Sequence, residues 1–150
     1  MSNIKIRKIK ESDIQAIANL EAACFAHNPW PEEQIAYEMK ENPCAYVYVA
    51  TCEEEIVGYL DFMITFDSAT IDRICVASEY RRQGIAKALL DKMVEVCKKQ
   101  KDRVDFITLE VRASNAEAIK LYEKNEWVRV TTKPHYYEDG EDALYLVRSL

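Results

Sequence analysis

Two segments of this sequence hold residue types at spacings that could do chemistry. The first is Arg81-Arg82-Gln83-Gly84-Ile85-Ala86, with Lys87 next in the chain. Gly84 is one of only 3 glycines, and it stands where an amphipathic run begins. Glycine at a helix start lets a ligand approach the backbone closely, and the free N–H groups of a first helical turn favour anions. Arg81, Arg82 and Lys87 add the positive charge that phosphates would meet. The segment has neither the P-loop spacing nor the G-x-G-x-x-G spacing, and a plain helix entry with surface arginines fits the pattern equally well. The second is Glu110, at the end of a run in which Ile107, Leu109 and Val111 are apolar. A carboxylate there can act as a general base, directly or through water, or can be an edge glutamate paired with Arg112. The five cysteines, Cys24, Cys44, Cys52, Cys75 and Cys97, show no C-x-x-C spacing. Reduced thiols are expected, and no metal site.

The elements that must position these groups are legible from periodicity. Alternation predicts a strand over 4–9. Ser12-Asp13-Ile14-Gln15 fits a capping box that opens a helix whose apolar face holds Ile14, Ile17, Leu20, Cys24 and Phe25. Pro29, Trp30 and Pro31 interrupt the chain before a second helix over 32–40. Strands are expected over 45–52, 56–65 and 70–76, with connections short enough for antiparallel hairpins. A helix over 84–100 carries the stripe Ala88, Leu89, Met93, Val96 and Cys97. A strand over 106–111 follows, then a helix to about 124 opened by a second capping box, Ser114-Asn115-Ala116-Glu117. Asn115 reads as a helix cap. Strands over 127–133 and 143–147 close the chain, with Asp139-Gly140 as a turn between them. The order β-α-α-β-β-β-α-β-α-β-β predicts an α/β fold. Its mixed central sheet has antiparallel N-terminal strands, then a parallel β-α-β unit, and is flanked by helices.

Composition narrows the class. The 150 residues are 49% hydrophobic and 31% charged, as expected of one globular domain spanning 1–150. Twenty basic against 26 acidic side chains give a net charge of −6, which argues against a general nucleic-acid binder. No run approaches the ~20 apolar residues of a membrane span. The start, MSNIKIRKIK, lacks the apolar core of a signal peptide, so a cytoplasmic protein is expected.

The Arg81–Ala86 segment resembles the R/Q-x-x-G-x-G/A signature of the GNAT superfamily of N-acetyltransferases, with Ala86 at the third motif position. Leu109-Glu110-Val111-Arg112-Ala113-Ser114-Asn115, the following Ala118-Ile119 and Leu121-Tyr122-Glu123, and the run from Tyr136 to Ala143 resemble the bacterial ribosomal-protein-alanine N-acetyltransferases. The resemblance spans nearly the whole chain. It departs at Asn125-Glu126-Trp127, where the family has a Gly-Phe pair, and across Cys24 to Trp30, which lacks the family's Pro-Trp-Ser wording.

The resemblance implies acetyl-CoA as co-substrate. Its pyrophosphate would lie on the backbone amides of Arg82, Gln83, Gly84, Ile85, Ala86 and Lys87, its pantetheine arm along Ile74-Cys75-Val76, with a further contact from Asn115. It makes Glu110 the base and Tyr122 the acid that protonates the departing thiolate, by direct transfer in a ternary complex. By helical spacing alone Tyr122 is a core residue, and Cys75 reads as a small buried hydrophobe rather than a nucleophile. A backbone N–H near Val76 would polarise the thioester carbonyl. The acceptor implied is a protein N-terminus, that of a ribosomal protein with N-terminal alanine. An α-amine of pKa ~7.7–8.0 is roughly a quarter neutral near pH 7.5, whereas a lysine amine at ~10.4 is about 0.1% neutral, so one glutamate suits the α-amine better. A polyamine, another small amine or lysine is the alternative acceptor. A non-catalytic acyl-CoA-binding regulatory domain is the alternative of another class; it would need neither Glu110 nor Tyr122. Trp30, Tyr37, Tyr136 and Tyr137 could wall the acceptor slot or simply pack. Glu138, Asp139, Glu141 and Asp142 could meet a basic tail or form a solvated turn.

Overall fold

The computed structural model describes residues 3–150. Its elements run β1 (Ile4–Lys8), α1 (Ile14–Cys24), α2 (Glu32–Lys40), β2 (Ala45–Cys52), β3 (Glu55–Thr65), β4 (Ser68–Val76), α3 (Ile85–Lys98), β5 (Phe106–Arg112), α4 (Ala116–Lys124), β6 (Val128–Lys133) and β7 (Ala143–Ser149). The strands form one sheet in the order β1-β2-β3-β4-β5-β7-β6. Each neighbouring pair is antiparallel except β4 and β5. The mixed sheet, the early hairpins and the parallel unit across α3 are those the sequence predicts.

Side-chain alternation sends two apolar sets to opposite faces of the sheet. One set, with Val47, Val49, Tyr59 and Cys75, packs under Ile14, Ile17 and Leu20 of α1 and Ile35 of α2. The other, with Leu60, Phe62, Ile71, Ile107, Leu109 and Leu146, packs against Leu89, Leu90 and Met93 of α3 and Tyr122 of α4. α1 and α2 therefore cover one face, and α3 and α4 the other.

The parallel pair is short. Ser68, Ala69 and Thr70 pair with Phe106, Ile107 and Thr108, and there the pairing ends, although β4 runs on to Val76 and β5 to Arg112. The Thr70 and Thr108 hydroxyls lie 2.9 Å apart at the last rung. Beyond them the two strands diverge and open a gap in the sheet.

One helix start differs from expectation, and the other keeps its expected cap, Asn115. α1 does not open at Ser12: a single 3-10 turn, Glu11–Asp13, precedes it, and Asp13 accepts the Lys10 N–H at 2.7 Å. Asp13 is drawn there by Arg7 of β1, which donates to its two oxygens at 2.8 and 3.0 Å. α4 is capped by Asn115, whose side chain accepts the Ala118 N–H at 3.2 Å. Ser114 precedes the cap, and its N–H donates to Glu141 from the β6–β7 loop at 2.9 Å. The Asp139-Gly140 turn forms as expected, with Gly140 at φ +88°.

Candidate active site

The end of β4 that β5 leaves unpaired borders a cleft of about 470 Å³. Its wall includes Cys24 and Phe25, where α1 ends on one face of the sheet, and Ala118, Leu121 and Tyr122 of α4 on the other. The cleft thus passes through the sheet at the gap. Ile74, Cys75, Val76, Arg82, Gly84, Ile85, Ala86, Lys87 and Asn115, all singled out from sequence, line it too. Gln83 belongs to the same loop but not to the lining.

The loop geometry suits an anion. Gly84 is the N-cap of α3 at φ +81°, and Arg82 also turns left-handed at φ +63°. A Cβ built on Gly84 would meet nothing within 4 Å, so a side chain there would be strained by the backbone rather than crowded, and the space above the helix start is open. The first-turn N–H groups of α3 face that space with the positive end of the helix dipole. Arg82 reaches Glu117 at 3.5 Å and Lys87 reaches Asp91 at 2.9 Å. Both pairs are solvent-exposed and so weak that phosphate oxygens can displace the carboxylates. The donor set therefore suits a phosphate or pyrophosphate group.

Tyr122 belongs to the core, as its helical spacing predicts, and also reaches the cleft. It is buried in the α3/α4 core, edge-on to Trp127 at 5.6 Å, and it also forms part of the cleft wall. Burial pushes its phenol above the usual value, so the hydroxyl stays protonated at neutral pH. α4 ends behind it in a Schellman turn: the Trp127 N–H donates to the Tyr122 carbonyl at 3.1 Å, and Glu126 between them takes φ +74°. This is the helix exit where the sequence lacks the family's Gly-Phe pair.

Glu110 lies on the other face of β5 from Leu109 and Val111, outside the residues that line the cleft. Its side chain is 17% exposed and accepts a hydrogen bond from Lys133 of β6 at 2.7 Å. The expected edge pairing with Arg112 is not made. Arg112 turns instead to Asp139 at 2.9 Å and Glu141 at 2.8 Å, and stacks on Tyr137 at 4.1 Å. The reason is topological: β7 lies between β5 and β6, and the β6–β7 loop folds its carboxylates back to Arg112. Asp142 accepts the His135 N–H at 3.0 Å, so three of the four acidic loop residues are engaged within the protein. Tyr136 and Tyr137 pack edge-to-face at 5.1 Å beside the Glu110–Lys133 pair. Tyr37 sits exposed on α2.

Several site residues were not singled out from sequence. Glu21 of α1 is fully buried and takes the Tyr59 hydroxyl, the Arg73 guanidinium and, at 2.9 Å, the Trp30 N–H. Arg73 also lies over the Phe25 and Trp30 rings at 4.0 and 5.0 Å, so Trp30 pins the α1–α2 loop onto β4. A glutamate on the apolar stripe of α1 is the signal that could have pointed here. Cys24 lies 3.6 Å from the Val76 carbonyl and 3.9 Å from Arg81. The Cys75 thiol, with help from Arg81, lowers the pKa of the Cys24 thiol against the opposing effect of burial. Cys75 is buried, as expected, and its bond to Cys24 together with burial pushes its thiol up.

Comparison with known proteins agrees with this geometry. The sequence profile of the acetyltransferase (GNAT) family matches residues 14–127. The chain belongs to the GNAT family. A Bacillus subtilis relative, provisionally named a ribosomal protein bS18-alanine N-acetyltransferase, is 34% identical over 142 residues, covering 94% of this chain and 92% of its own. An N-alpha-acetyltransferase of Saccharolobus solfataricus is 32% identical over 157 residues, covering 97% and 92%. The crystal structure of the Escherichia coli ribosomal-protein-S18-alanine N-acetyltransferase superposes with a TM-score of 0.85 at 30% identity, covering 97% of this chain and 93% of that one. Membership of this GNAT family makes the chain an N-acetyltransferase. None of its described helices is long and apolar enough to cross a membrane.

Proposed function

We propose that this GNAT enzyme transfers acetyl from acetyl-CoA to the N-terminal α-amine of a protein, with the N-terminal alanine of a ribosomal protein as the favoured acceptor, and that residues 1–150 act as one cytoplasmic catalytic domain. The observation that carries this reading is the cleft that passes through the sheet where β4 leaves β5. A donor held at the start of α3 and an acceptor arriving from the α1/α2 face would meet in that gap.

The residues divide the work as follows. The amides of Arg82 to Lys87 hold the pyrophosphate, with Arg82 and Lys87 neutralising it. The backbone edge of Ile74–Val76, which β5 does not cover, receives the pantetheine arm, and a backbone N–H near Val76 polarises the carbonyl. Glu110 removes a proton from the incoming amine, directly or through a water, while Lys133 holds its carboxylate in place. Tyr122, which lines the cleft on the α3/α4 face of the sheet, gives its hydroxyl proton to the departing thiolate. Asn115 caps α4 and so fixes the helix that carries Tyr122.

The relatives' named substrates, together with the lower pKa of an α-amine, support the N-terminal acceptor over a polyamine or lysine. The test is mass spectrometry of acetyl incorporation into an alanine-starting peptide, spermidine and an N-blocked lysine peptide, side by side. Preferential labelling of the first is expected. Labelling of either of the others at equal efficiency overturns the acceptor assignment.

A further inference from the structure

A group of carboxylates on the α1/α2 face takes no part in the chemistry above. Glu38 of α2, Asp61 of β3 and Asp72 of β4 each bring one oxygen to within 4.8 Å of the other two. A bulge brings them together. Asp61 pairs with Arg73 and Phe62 pairs with Ile71, so Asp72 is the extra residue on β4. Glu38 closes the group from above, on a helix turn whose Gln34 and Asn42 amides donate to its carboxylate at 3.3 to 3.4 Å.

Asp61 is the informative member. It is 1% exposed, and neither of its carboxylate oxygens has a hydrogen-bond partner among the described residues. What it faces is Glu38, itself 5% exposed and an acceptor like Asp61. Arg73, the cation next to Asp72 on β4, is committed to Glu21. A buried carboxylate without a donor is costly, and a second one beside it makes it more so. Asp72 is exposed and gives the group access to water.

We propose that Glu38, Asp61 and Asp72 form a binding site for a hard divalent cation of the Ca²⁺ or Mn²⁺ type. The donors are all oxygens, which selects against zinc and copper. Oxygens bound to Ca²⁺ at ~2.3–2.6 Å stand at most about 5 Å apart across the ion, which accommodates the observed separation; Mg²⁺ at ~2.0–2.1 Å demands a tighter cage. Three carboxylates supply up to six ligand oxygens if all are bidentate, and water reaching Asp72 fills the remaining positions. The bound ion fastens α2 to β3 and to the β4 bulge, next to the strand segment that leads to the cleft.

The experiment is thermal unfolding of the full chain in chelator, then in Ca²⁺, Mn²⁺ or Mg²⁺ at millimolar concentration, with calorimetric titration for stoichiometry. Wild type is expected to gain several degrees in Ca²⁺ or Mn²⁺, less in Mg²⁺, with one ion per chain. Asp61→Asn and Asp72→Asn are expected to lose the gain while folding normally, since each keeps its shape and introduces no new charge. An increment absent from wild type, or retained in both variants, overturns the site. None of these readouts depends on acetyl transfer.

Discussion

Tyr122 is where a single atom separates chemistry from packing. Its ring belongs to the core and its flank to the cleft, so Tyr122→Phe keeps the ring against Trp127 and removes just the hydroxyl. Unfolding close to wild type is expected, with kcat down at least ~10-fold and KM little changed. Normal turnover would make the residue structural. Glu110→Gln tests the other proton transfer. Turnover should fall ~10²-fold or more at pH 7 while acetyl-CoA affinity, read by calorimetry, holds. The deficit should narrow as pH rises, because more of the amine is then neutral without help; a loss constant with pH would remove Glu110 as base. The loop residues Arg82 to Lys87 and the cap Asn115 were legible in sequence because their geometry is set within one helix turn. The partner of Glu110 was not. Lys133 arrives from 23 residues away, through a strand order that places β7 between β5 and β6. Asp61 and Asp72 lie inside runs that read as strands, and their charges gain meaning once the bulge and α2 bring them together.

At the scale of elements, α1, the α1–α2 loop, β3 and β4 are tied by one buried carboxylate. Glu21→Ala would strand the Arg73 guanidinium, the Tyr59 hydroxyl and the Trp30 N–H together. Breaking a buried pair in this way costs ~3–5 kcal/mol, so Tm should drop on the order of 10 °C, read by calorimetry. A drop of a degree or two would mean that the cluster contributes little. The exit of α4 offers the opposite sign. Glu126 sits at φ +74° in the position of the Schellman turn where glycine is free of strain, and its exposed contact to Arg148 is long at 3.4 Å. Glu126→Gly should therefore stabilise by about 0.5–1 kcal/mol, a rise of roughly 1–3 °C in Tm. Strand and helix order were readable because each period is local: alternation gave β2 to β4, and the stripe of Leu89, Met93 and Cys97 gave α3. The start of α1 was misread for a non-local reason, since Arg7 of β1 competes for Asp13. The gap between β4 and β5 could not be read from periodicity, as both strands keep their pattern past the point where they separate.

For the molecule as a whole, an excess of 26 acidic over 20 basic groups makes pH the lever on stability, and two sets of carboxylates pull in opposite directions. Burial opposes ionisation of Asp13, yet the hydrogen bonds from Arg7 and the Lys10 N–H hold it below its ordinary value. Such a group stabilises above its unfolded pKa, and its contribution is lost as pH falls through the folded one. Asp61 has the reverse sign. Burial first, then its contact with Glu38 and the charges of Asp72 and Glu21, push its carboxyl from 3.8 up to about 10. Asp72, pushed to about 6 by desolvation and by Glu38 and Glu110, adds in the same direction, screened by its contact with water. For these groups stability is fully present below the unfolded pKa and is lost progressively as pH rises toward the folded one, at up to about 1.4 kcal/mol per unit for one group. In chelator, wild type should therefore be most stable in weakly acidic solution, at roughly pH 5, and should lose Tm steadily through neutrality toward pH 9. Asp61→Asn removes the titrating group and supplies an amide that can donate to Glu38. Its curve should meet wild type near pH 4 and rise above it with a gap that widens as pH increases. Saturating Ca²⁺ should close that gap from the wild-type side, because the ion then neutralises what the proton did. Parallel curves for the two proteins from pH 5 to pH 9 in chelator would show that Asp61 does not carry the proton, and the acidic stability maximum would have to come from other groups.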